Sequence, residues 1–155
     1  MKPIVGCILN ILTLGWRNRL IADKELFHKL YEELPLNGNQ AVLLREHDFN
    51  QAFHPEHLKP LNNVIADWPL PINEFHSWLV ERRKKKFVSM LQIFLDELGQ
   101  HTAMEASGLI SIGANDQDMR EKVISKIGKR LNKLSSKAYR DYESFIKSYK
   151  KELNA

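Results

Sequence analysis

The sequence predicts an all-α fold: a single helical domain over residues 1–155, with two long amphipathic helices at about 72–98 and 116–153 and shorter helices before them. Three observations predict it. Apolar residues from Met119 to Leu153 recur every three or four positions: Met119, Val123, Ile127, Leu131, Leu134, Ala138, Tyr142, Phe145, Tyr149 and Leu153. That is the helical period, not the strand period. A second series follows the same rule: Phe75, Trp78, Leu79, Phe87, Met90, Leu91, Phe94, Leu95 and Leu98. Finally, 155 residues with 43% hydrophobic content, only 7 Gly and only 6 Pro suit one domain with a real core. A small α+β variant, with strands at 4–12 and 41–44, is the alternative.

Residues 4–14 are apolar on nearly every side, which predicts burial, and periodicity there does not separate strand from helix. The run includes Asn10 and falls short of the roughly 20 apolar residues of a spanning helix, so no transmembrane segment is expected. A membrane-anchored start is the minor alternative to a buried helix or strand. Ile4-Val5-Gly6-Cys7 resembles a lipoprotein cleavage box, but six residues before the cysteine are too few for such a signal. Cys7 is the single cysteine, so no internal disulfide forms, which fits a reducing cytoplasm.

Asp23 reads as an N-cap for a short helix carrying Leu26, Phe27, Leu30, Tyr31 and Leu34, which Pro35 ends. Leu36-Asn37-Gly38-Asn39 reads as a turn. Residues 41–47 are open between strand and helix. Pro55 suits a first helical turn, with Pro60 as an interruption. Trp68-Pro69-Leu70-Pro71 reads as a stiff extended connector. Ile72 opens the second long helix, Asn73 caps it if it starts one residue later, and Gly99 terminates it. Residues 103–114 read as a short helix and a loop. Asn115-Asp116 caps the last helix, with Asp118 favourable at its positive end. Its repeat is slightly longer than 3.6, so that helix either wraps around the body or breaks near Leu134-Ser135-Ser136.

Charge is unevenly spread. Residues 1–114 carry 12 Lys/Arg against 13 Asp/Glu, whereas residues 115–155 carry 11 against 6. Lys122, Lys126, Lys129, Lys133, Lys137, Arg140, Lys147 and Lys151 line the side opposite the apolar stripe. Arg82-Arg83-Lys84-Lys85-Lys86 adds a local run suited to phosphate contacts. Trp78 and Phe87 flank that run, where they either stack on bases or join the core. These features predict a non-catalytic binding or accessory protein whose basic surface contacts nucleic acid or an acidic protein partner. The other reading of the charge is a solvated face. An adaptor or regulatory subunit using apolar helix faces, including a homodimer, is the second function class.

A metal-dependent enzyme is the third, resting on His47, His54 and His57 among Glu46, Asp48 and Glu56. Their spacing matches no ligand motif. Glu74, His76 and Glu81 read as a polar helix surface. The chain has no Gly-rich phosphate loop, no Gly-x-Ser-x-Gly elbow and no zinc-finger spacing, so no cofactor is expected. Asp67-Trp68-Pro69-Leu70-Pro71, Glu81-Arg82-Arg83 and Phe94-Leu95-Asp96-Glu97-Leu98 together resemble the end of the effector domain of LysR-type regulators. The winged helix-turn-helix of that family has no counterpart here and a long basic helix follows instead, so the resemblance is set aside. It would imply strands at 41–44 and 78–80.

Overall fold

The computed structural model describes residues 4–113 and 121–153, with side chains from residue 14 onward. The elements are α1 (Ile4–Glu33), α2 (Asn39–Glu46), α3 (Leu58–Asp67), α4 (Trp78–His101), β1 (Thr102–Met104), β2 (Ile110–Ile112) and α5 (Glu121–Leu153). The fold is thus predominantly helical, as expected. Residues 4–12 and 41–44 are helical, and so are 78–80. Met119 and the cap expected at Asn115, Asp116 and Asp118 lie outside the described residues, as does the side chain of Cys7.

The centre is the antiparallel pair α4 and α5. Arg130 meets Glu97 at 2.8 Å near one end, and Lys86 meets Asp141 at 2.9 Å further along. Between them the apolar stripes read from sequence close on each other. Phe87, Leu91, Phe94, Leu131, Tyr142 and Phe145 are all buried. The Phe87 and Tyr142 rings lie 4.9 Å apart. Each such side chain gains about 1.5–3 kcal/mol by leaving water. The last helix does not break at Ser135. Ser135 Oγ donates back to the Asn132 carbonyl at 3.0 Å, which satisfies the hydroxyl inside a continuous helix.

Trp68 plugs the space between α3 and this pair, fully buried against Phe87 at 5.7 Å and Phe145 at 5.9 Å. Its indole N–H donates to Glu33 at 2.8 Å, the partner a buried Trp requires. Phe49 fills the far side against Phe94 at 5.2 Å, and its backbone N–H donates to Asn132 at 2.8 Å. Asp48 accepts from Asn132 at 2.9 Å and from the Asn50 backbone and amide. These bonds hold its carboxyl below the usual carboxylate range.

Several expected boundaries move, each for a physical reason. Asp23 does not start a helix: α1 runs through it without a break to Glu33. Pro60 does not interrupt α3, because it stands in the first turn, where a missing N–H leaves no helical bond unmade. The second long helix begins at Trp78 instead of Ile72. Pro71–Asn73 forms a separate 3-10 turn, and Ser77 is the cap, accepting from the Val80 N–H. Asn73 is buried and bonds the Asp67 carbonyl instead. Gly99 does not end α4, which continues to His101 before Thr102 Oγ1 donates to the Leu98 carbonyl. The short helix expected after it is an antiparallel hairpin, pairing Thr102 with Ile112 and Met104 with Ile110. Gly108, at φ +82°, supplies its turn. Phe53 bridges to Ile110 and ties the hairpin to the α2–α3 loop.

Among the described side chains of α1, those that join the core lie in its second half. Phe27, Leu30 and Leu34 are buried, and the Phe27 ring lies flat on Tyr149. Before that half, apolar side chains face solvent: Leu14 is 58% exposed, Trp16 66% and Ile21 54%. For Leu14 this corrects the expected burial of the apolar run. No helix among the described residues is long and apolar enough to cross a membrane.

Candidate nucleic-acid interface

An α-helix turns 100° per residue, so residues three, four and seven apart share a side. On α5, Lys122, Lys126, Lys129, Lys133, Lys137, Arg140, Lys147 and Lys151 satisfy that rule, and every one is exposed. Leu131, Ala138, Tyr142, Phe145 and Tyr149 occupy the opposite side and are buried. The core therefore orients the stripe: the packing that hides the apolar line turns the cations outward. From Lys122 to Lys151 the stripe extends about 44 Å at 1.5 Å per residue. None of these eight cations has an ion-pair partner among the described residues. Arg140 Nε donates to the Ser136 carbonyl at 3.3 Å, within its own helix.

The run at 82–86 does not form one surface, because successive residues of a helix face different ways. Lys84 points inward and is 1% exposed. Its ammonium lies 2.9 Å from Glu81, donates to the Asn73 carbonyl and sits 5.6 Å over the Phe75 ring. Burial lowers its pKa, against the pull of Glu81. Lys84 is thus no part of the outer surface. Lys85 is exposed but lies 3.4 Å from both Glu74 and Glu81, and the bond to Glu74 raises its pKa. Lys86 pairs with buried Asp141. Arg82 and Arg83 remain exposed without an acid partner among the described residues. Of the two flanking aromatics, Phe87 belongs to the core and Trp78 is 70% exposed.

The three histidines are not gathered into a ligand set. His47 follows α2 and packs edge-on against Phe49 and Phe53, at 4.8 and 5.5 Å. His54 precedes a 3-10 turn that ends in His57, with ring centres 6.4 Å apart. His47 and His57 line one shallow depression with Glu46. Among the described residues, no group of three or more His, Cys, Asp or Glu side chains is close enough to hold a metal ion.

A second feature escaped the sequence reading. Asp23, only 2% exposed, reaches out of α1 to the start of α4. Its carboxylate accepts from the His76 N–H at 2.8 Å and the Ser77 N–H at 2.9 Å. His76 Nδ1 lies 3.0 Å from the same carboxylate. So Asp23 braces the two residues that lead into α4, while Ser77 remains its cap. Glu81, expected on a polar surface, is buried and accepts from the Phe75 N–H. Beside this clamp lies an open groove of about 320 Å³, with Trp16, Arg19, His76 and Trp78 on its walls. Residues 16 and 78 are far apart in the chain, and no local pattern announces their meeting.

The comparisons with known proteins add no relative: no family model matches the chain, and neither the curated proteins nor the solved structures supply a match.

Proposed function

We propose that this chain is a non-catalytic helical protein that binds nucleic acid through the phosphate backbone, along the outer side of α5. One observation carries the reading: eight exposed cations in register on one rigid helix, none with an acid partner among the described residues. Such a line neutralises phosphates without reading base sequence. It also explains why the excess charge lies in residues 115–155 and not throughout the chain. Arg82 and Arg83 are secondary candidates. Lys84 is not.

Fluorescence anisotropy with generic single- and double-stranded DNA and RNA, across a salt series, tests this. Contact with four to six phosphates predicts a log–log slope of about −3.5 to −5.5 on duplex. Lys126→Glu with Lys133→Glu removes two contacts and flattens the slope by about 2. No binding at low salt sinks the proposal. Binding to polyglutamate but not to nucleic acid assigns the stripe to an acidic protein partner.

A further inference from the structure

The groove beside the Asp23 clamp lies at the end of α5, where the cationic stripe finishes. We propose that it holds one unpaired base of a single-stranded nucleic acid between Trp16 and Trp78, with a neighbouring phosphate on Arg19. This rests on the phosphate-binding reading of α5 and adds to it a preference for unpaired strands.

The two indoles stand in water. Trp16 is 66% exposed and Trp78 70%, whereas Trp68 is fully buried. Both line the groove, one from α1 and one from α4, and no ring contact joins them among the described residues. An exposed indole keeps a large flat apolar face wet, and any base covers such a face because every base has a π-face of its own. The groove between them has a volume of about 320 Å³. That is the low end for small-ligand sites, with room for one nucleoside.

Polar groups around the indoles suit a nucleotide better than an apolar side chain. Arg19 lines the groove and Arg82 stands beyond Trp78, both exposed and without an acid partner among the described residues. Most acids nearby are already engaged. Asp23 holds His76, and Glu74 and Glu81 face Lys85. Glu152 is the exposed acid of the groove, set against two free guanidinium groups. The rim therefore favours an anion, and guanidinium is well matched to phosphate. His76 commits Nδ1 to Asp23 and is half exposed, which leaves Nε2 for the edge of a base.

The position completes the case. Glu152 and Leu153 of α5 form part of the groove, and Lys147 and Lys151 of the stripe precede them within about 9 Å along the axis. A strand that follows the stripe reaches the groove without leaving the helix.

The test uses the full chain with an oligothymidylate, an abasic strand of equal length and a duplex. Anisotropy and tryptophan emission are followed together. The oligothymidylate is expected to bind about tenfold tighter than the abasic strand and to quench emission. Trp16→Ala with Trp78→Ala removes both effects and leaves duplex affinity and melting temperature unchanged. Trp16→Phe with Trp78→Phe keeps most of the preference. Lys126→Glu with Lys133→Glu weakens all three probes and leaves the ratio of thymidylate to abasic binding intact. The lysine variant thus judges the stripe and the tryptophan variant judges the groove, so the two readings fail separately. Equal binding of the thymidylate and abasic strands overturns the groove proposal. So does a tryptophan-to-alanine variant that weakens the duplex as much as the single strand.

Discussion

Lys84 shows how one buried side chain changes the reading of a whole run. In sequence it is the middle of five cations. In the fold it is the innermost, and its charge is tolerated because Glu81 and the Asn73 carbonyl face it. Removing one partner of such a pair leaves the other charge stranded, at about 3–5 kcal/mol. Losing the cation strands less, because Glu81 keeps Lys85 at 3.4 Å and the Phe75 N–H, whereas losing Glu81 leaves Lys84 with no anion. Urea denaturation at pH 7 is therefore expected to show Glu81→Gln as much the worse of two variants, with Lys84→Met nearer the parent. The pH dependence has a definite sign. Burial lowers the folded-state pKa of Lys84 below the ordinary 10.5, so the unfolded chain holds the proton more tightly. Stability from this group therefore rises as pH climbs through that window toward 10.5. Measured against Lys84→Met, the parent gains ground between neutral and strongly alkaline pH. An unchanged gap contradicts the assignment.

At the scale of elements, α4 begins where Asp23 holds it. Two backbone N–H groups at its start donate to a carboxylate supplied by α1, and a negative charge there also suits the positive end of the helix. Asp23→Ala is expected to cost about 1–2 kcal/mol in chemical denaturation, with Asp23→Asn losing less. Hydrogen exchange at the first turn of α4 should rise with it. The pair α4 and α5 was legible in the sequence because Leu131, Tyr142, Phe145 and their α4 counterparts obey one period over many turns, whereas α1 was read as an undecided run and a separate short helix. The cationic line on α5 was legible for the same reason. The elements near 71–77 and 102–112 were not. Asn73 and Asp23 both suit a cap by local chemistry, and only tertiary placement shows that Ser77 takes that role while Asn73 bonds Asp67 and Asp23 holds residues 76 and 77. The hairpin is too short for a period, and Gly108 is its main local mark. The inward turn of Lys84 and the meeting of Trp16 with Trp78 depend on long-range packing, which composition and spacing do not encode.

For the whole molecule, the described part of α1 divides into a core stretch and a solvent-facing one. Phe27, Leu30 and Leu34 fasten its second half, whereas Leu14, Trp16 and Ile21 face solvent. Hydrogen exchange should divide the helix accordingly. Amides at 14–21 are expected to exchange at least tenfold faster than those at 27–33, and uniform protection along α1 would contradict the division. The clamp at Asp23 stands between these stretches and ties α1 to the residues just before α4. Because α1 continues unbroken through the clamp, residues 14–21 belong to the same helix as the buried Phe27, Leu30 and Leu34. Whatever holds residues 14–21 therefore pulls on a helix whose other end is fastened to α5 through Phe27 on Tyr149.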